Sequence, residues 1–201
     1  MLGSISPVGE ASRRQRWWLT ATAYTVASVA GGATVGVVLG WAGAALLAGL
    51  SVPATTRLLI LGLGALLGAL MDAKVVPWAL PTWHRQVDER WLTTYRGWIY
   101  GAGFGFQLGA GIATIVTSAA TYTALLAAFL SASWQGGLLI GIAFGVVRSI
   151  PLLLTGRLRT AASLYRVTRR MEHAEPVARR LTAAGLAAVG ALALVAAGTV
   201  A

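Results

Sequence analysis

From Trp17 to Leu50 the chain runs for 34 residues without a charge, and that run decides which solvent it folds in. A bilayer core takes about 20 apolar residues per helix and about 40 for two. The run is too long for one upright helix and too short for two full ones. It predicts a span from Trp17 to Gly40, followed by a shorter or re-entrant helix beginning at Trp41. Leu58–Met71, Gly97–Gly137, Leu138–Leu154 and Leu181–Ala201 are also uncharged or nearly so. Only 11% of the 201 residues are charged and mean hydropathy is +0.72, whereas a soluble domain carries about 25% charged residues. Disorder, a basic nucleic-acid-binding domain and an ordinary cytosolic enzyme are excluded. The expected fold is an all-α polytopic membrane protein of five to seven helices in one bundle. The apolar run after Arg13–Arg16 far exceeds the roughly 7–15 residues of a signal core, so it reads as a retained span.

The cations set the expected topology. Arg13, Arg14 and Arg16 form one cluster, and Lys74, Arg85, Arg90 and Arg96 a second. Arg157, Arg159, Arg166, Arg169, Arg170, Arg179 and Arg180 form a third. Clusters between apolar runs mark cytoplasmic loops, not a nucleic-acid footprint. All three fall on the cytoplasmic side of a cell inner membrane if each half of the chain crosses twice. The N-terminus is then inside, Arg57 is outside and the C-terminus is outside. Three crossings per half would put the second cluster outside.

The halves match at a shift of 80 residues without a gap. Arg16-x-Trp18 meets Arg96-x-Trp98, Gly31-x-Ala33-Thr34 meets Gly111-x-Ala113-Thr114, and Leu58-Leu59-Ile60 meets Leu138-Leu139-Ile140. This predicts two tandem repeats of interrupted helices, about 16–72 and 96–154. They are joined by a cytoplasmic loop 73–95 and followed by a basic loop 155–180 and a last span 181–201. Duplicated bundles often place their working site where the repeats meet.

Thr34 and Thr114 occupy equivalent mid-span positions, and Gln107 is one of few amides in a span. Each can bend or cross-link helices, or offer a polar contact to a substrate. Arg148 lies among apolar residues, where an arginine is a functional hypothesis by default. Alternatively Pro151 ends its helix early and Arg148 snorkels to cytoplasmic phosphates, or it pairs with Asp72. Glycines recur every fourth residue, as in Gly32, Gly36 and Gly40, in Gly64 and Gly68, in Gly101, Gly105 and Gly109, and in Gly137, Gly141 and Gly145. That spacing lets helix backbones approach closely. Residues 157–170 carry Leu158, Ala161, Ala162 and Tyr165 at helical spacing among arginines. They fit a helix on an anionic leaflet, with Arg159, Arg166, Arg169 and Arg170 on headgroups.

No catalytic constellation is visible, and no acid is expected to be buried within a span. The absence of cysteine excludes thiol chemistry. His84 and His173 are far apart, so no metal and no cofactor is expected.

The segment Gly103-Phe-Gly-Phe-Gln-Leu-Gly109-Ala-Gly-Ile-Ala113-Thr114-Ile, with the Ala/Leu-rich helix after it, resembles the repeated core of the CcdA/DsbD transmembrane family. The resemblance spans about residues 25–155. It implies membrane electron transfer for cytochrome c maturation and periplasmic thiol reduction, through one Pro-Cys pair per half. Ala33-Thr34 and Ala113-Thr114 stand where those pairs would fall, so that relay cannot operate here. The family's halves also cross three times and are inverted, against the charge count. A member of this kind would move something else or serve as a partner subunit.

The expectation is therefore a non-enzymatic transporter or permease-like protein, with Thr34, Thr114, Gln107 and Arg148 as substrate contacts. The alternative is a non-catalytic subunit that anchors or assembles a larger membrane complex. The expected partners are lipids and a membrane protein or second copy, and not nucleic acid.

Overall fold

The computed structural model describes residues 5–76, 90–111, 118–157 and 160–200. In lipid every backbone N–H and C=O must be satisfied within the segment, which leaves helices for a chain this apolar. The described residues are helical and contain no strand. The order is α1 (Pro7–Ser12), α2 (Trp17–Gly49), α3 (Ala54–Asp72), α4 (Trp91–Thr94), α5 (Gly97–Ala110), α6 (Ala120–Leu130), α7 (Trp134–Leu154), a 3-10 turn (Thr155–Arg157) and α8 (Ala161–Val200). Four helices are long and apolar enough to cross a bilayer: α2, α3, α7 and His173–Val200 of α8. This is an all-α, multi-pass membrane protein.

Three boundaries differ from the sequence expectation. First, α2 does not break at Trp41 but runs unbroken to Gly49. Nothing near Trp41 removes a backbone donor, and its ring simply projects outward, 67% exposed. The helix stops instead before Pro53, through a turn in which Ser51 takes φ 51. Second, Pro151 lies inside α7, which continues to Leu154. Third, most of the expected basic loop 155–180 is helix, because α8 begins at Ala161 and carries Pro176 within it. The interruption falls in the second half of the chain. There α5 ends at Ala110 with Gly111 as a left-handed cap, φ 71, and α6 starts at Ala120. The helix starts keep the 80-residue spacing of the sequence matches, Trp17 against Gly97 and Ala54 against Trp134.

The chain forms two compact units, residues 1–34, 84–114 and 142–173, and residues 35–83, 115–141 and 174–201. In the first, Gly101, Gly105 and Gly109 of α5 set their bare Cα atoms against the backbone carbonyls of Thr20, Tyr24 and Ser28 of α2. The contacts advance together along both helices, so α2 and α5 run parallel. Gly145 of α7 packs on the Ser28 carbonyl, and Ser28 Oγ donates to the Gly145 carbonyl at 2.9 Å. The apolar centre consists of Ile5, Ala21, Tyr24, Tyr100, Phe104 and Leu152. Trp91 of α4 stacks on Phe104 with ring centroids 6.1 Å apart.

In the second unit α3 runs antiparallel to α6, with Gly64 facing Leu126 and Gly68 facing Ala119. The outer part of α8 lies along α3 through Gly62 and Gly190, with Leu66, Leu186 and Leu194 beside them. Gly36 of α2 and Gly137 of α7 meet each other's backbone carbonyls, and Gly40 meets that of Ser133. In each unit, helices touch where the side chain is missing, as small-residue packing in lipid favours.

Candidate functional site

The residues expected to contact a substrate are dispersed in their roles. Thr34 is exposed on α2, and its hydroxyl donates to the Ala30 carbonyl one turn back at 2.8 Å. Gln107 is half-buried on α5 and makes no hydrogen bond among the described residues. Arg148 is half-buried on α7 with its guanidinium 5.6 Å from the Phe144 ring centroid. Thr114 and Arg159 lie outside the described residues. Arg166, Arg169 and Arg170 are exposed on the first turns of α8, beside a Tyr165 that is 70% exposed. That exposure suits contact with headgroups.

The structure instead draws attention to two acids. Asp72 ends α3 and is only 4% exposed. One carboxylate oxygen accepts from Ser118 Oγ at 2.6 Å and the other from the Ala119 backbone N–H at 2.9 Å. Those donors stand just ahead of α6, so the carboxylate caps that helix from a neighbouring element, where a negative charge is favoured. Thr121 and Thr123 of α6 are buried there too. Both donors to Asp72 are neutral, and among the described residues the ion pairs are Arg13–Glu10 and Arg179–Glu175. Among the described residues no cation lies within ion-pair distance of the Asp72 carboxylate, so neutral donors alone hold it.

Glu10 of α1 is fully buried. Its carboxylate accepts from Thr20 Oγ1 at 2.7 Å, from Arg13 Nη2 at 2.9 Å and from the Tyr100 hydroxyl. The Arg13 guanidinium also lies 5.7 Å from the Tyr100 ring centroid. Burial works against the Arg13 charge, but its bond to Glu10 and its contacts with Tyr100 outweigh that, so its pKa is raised above the ordinary arginine value. Glu10 is positioned because Ser6 and Pro7 start α1 over the ends of α2 and α5: Ser6 Oγ accepts from the Gly9 N–H at 3.1 Å, with Pro7 in the first turn. This network ties the N-terminal segment to α2 and α5, although among the described residues the buried Arg13 Nε has no hydrogen-bond partner.

Sequence reasoning missed Glu10 and offered Asp72 only as a partner for Arg148. The Ser-Pro pair three residues before Glu10 was a legible helix-start signal. Asp72 was visible as the first charge after an apolar run, yet nothing in the sequence showed that Ser118 would meet it.

Comparison with known proteins finds no family model, no curated protein and no solved structure that matches this chain.

Proposed function

We propose that this integral membrane protein is a small transporter or permease-like protein whose working polar site centres on Asp72, Ser118 and the start of α6. The observation that supports the reading is the buried Asp72 carboxylate, held by neutral donors just ahead of α6. Acids buried among membrane helices recur on the ion and substrate pathways of transporters. The second reading, a non-catalytic subunit of a larger complex, is favoured by the backbone-on-backbone glycine contacts, which leave no room for a path along those seams.

The chain has no cysteine, so single replacements Ser118→Cys and Thr34→Cys report water access directly. In sealed vesicles probed with a membrane-impermeant thiol reagent from each side, the transporter reading expects Ser118→Cys to react from at least one side, and Asp72→Asn to change its rate. A Ser118→Cys thiol inert from both sides refutes that reading and leaves the subunit.

A further inference from the structure

The parallel packing of α2 and α5 brings the two Arg-x-Trp segments to the same rim of the first unit. There Arg14, Gln15, Arg16, Leu19, Arg96 and Trp98 line an open pocket of about 370 Å³. No acid lines it. Arg14, Arg16 and Arg96 are exposed and make no side-chain hydrogen bond or ion pair among the described residues. The neighbouring Arg13 is different, because Glu10 neutralises it. The pocket therefore presents three guanidiniums that no described acid compensates, groups whose planar forks match phosphate oxygens. Gln15 is partly committed, its Oε1 accepting from the Gly97 N–H at 3.3 Å.

The other wall is apolar. Leu19 is 38% exposed and Trp98 53% exposed, and both lie in the first turn of helices that continue into apolar sequence. Indole rings at that position sit at headgroup level. Cations on one side and an apolar wall on the other match a phosphate that carries acyl chains better than a free anion, which would leave Leu19 and Trp98 against water.

We propose that this pocket is a binding site for the phosphate of an anionic phospholipid, gripped by Arg14, Arg16 and Arg96 with its glycerol and upper acyl segments on Leu19 and Trp98. It is separate from the basic face of α8 and independent of the transporter reading. The two Arg-x-Trp segments contribute one arginine each.

The test is native mass spectrometry of the full-length protein in detergent micelles, titrated separately with phosphatidylglycerol and phosphatidylcholine of identical acyl chains, with and without millimolar inorganic phosphate. Phosphatidylglycerol should be held roughly tenfold or more tightly than phosphatidylcholine, and inorganic phosphate should not displace it, with each arginine contributing about fivefold. Arg16→Ala with Arg96→Ala should weaken phosphatidylglycerol about 25-fold on that basis, and Arg14→Ala alone about fivefold. Arg166→Ala with Arg169→Ala on α8 should leave the tight site unchanged. Arg14→Ala keeps the test decisive if the double variant fails to fold. Equal retention of the two lipids overturns the proposal, as does retention unmoved by Arg14→Ala. Displacement by millimolar phosphate overturns the lipid assignment in favour of a soluble anion.

Discussion

Replacing Glu10 by Ala removes one carboxylate that three elements share. Glu10 is 0% exposed and accepts from Arg13, Thr20 and Tyr100. Breaking a buried ion pair from one side costs about 3–5 kcal/mol, because the remaining charge is stranded. The Arg13 side chain is 25% exposed, so water screens part of that loss and places the expected cost at the lower end, about 3 kcal/mol. Glu10→Gln keeps the shape and one acceptor oxygen but turns a donor or a neutral atom toward Arg13, and should cost about 1.5–2 kcal/mol. Unfolding can be followed by intrinsic tryptophan fluorescence in mixed micelles with increasing SDS, since Trp17 packs against the same core. Because Arg13 acts through Glu10, the double variant Glu10→Ala/Arg13→Ala should recover about 2 kcal/mol of the summed single losses. If Glu10→Ala unfolds with the wild-type midpoint, or the two losses simply add, the network does not hold the N-terminal segment and the reasoning fails.

Gly105→Ala would place a methyl on the Tyr24 carbonyl and should destabilise by about 1–3 kcal/mol in the same assay. Gly185→Ala meets nothing within 4 Å, so it should be neutral or stabilise α8 by about 0.5–1 kcal/mol. Equal effects of the two would show that glycine content, not contact, governs stability. Asp72→Ala removes the cap of α6 and should cost about 1–2 kcal/mol, read as earlier hydrogen exchange of the amides at the start of α6. Arg57 donates to the Leu130 carbonyl at 3.4 Å, so Arg57→Ala should lower stability by about 0.5–1 kcal/mol, the scale of a cation at a helix C-terminus. The exposed Arg179–Glu175 pair sits at 4.0 Å, and Glu175→Ala should move the midpoint by no more than about 0.5 kcal/mol.

The membrane class could be read from Trp17–Leu50, an uncharged and largely apolar run longer than a bilayer span needs. The starts of α2 and α5 at Trp17 and Gly97 could be read from the tryptophans beside the arginine clusters, whereas α3 and α7 start four residues before the matched Leu58 and Leu138. Which half would break could not be read. Gly31 and Gly111 occupy equivalent positions in those matches, and local propensity treats them alike. Gly31 remains inside α2 because the backbone of α5 at Phe106 and Ala110 lies against it, whereas Gly111 takes φ 71 and ends α5. The choice rests on neighbours distant in sequence. The partners of Asp72 and Glu10 were hidden for the same reason: they lie 46 and 90 residues away at Ser118 and Tyr100. The threonines were singled out by symmetry, but Thr34 spends its hydroxyl on its own helix, a local bond that any mid-helix threonine can make.

The unbroken α2 has a consequence for the surrounding bilayer. Its 33 residues make a rod of about 50 Å, against a hydrocarbon thickness of about 30 Å. To bury the whole rod the helix would have to lean by more than about 50°, beyond the usual 0–40°. Trp17 and Trp41 stand about 36 Å apart along it, which a lean of roughly 30–35° fits to the hydrocarbon layer. The segment from Ala42 to Gly49 then emerges into the headgroup zone while still apolar, so a thicker membrane should suit this protein better than a thin one.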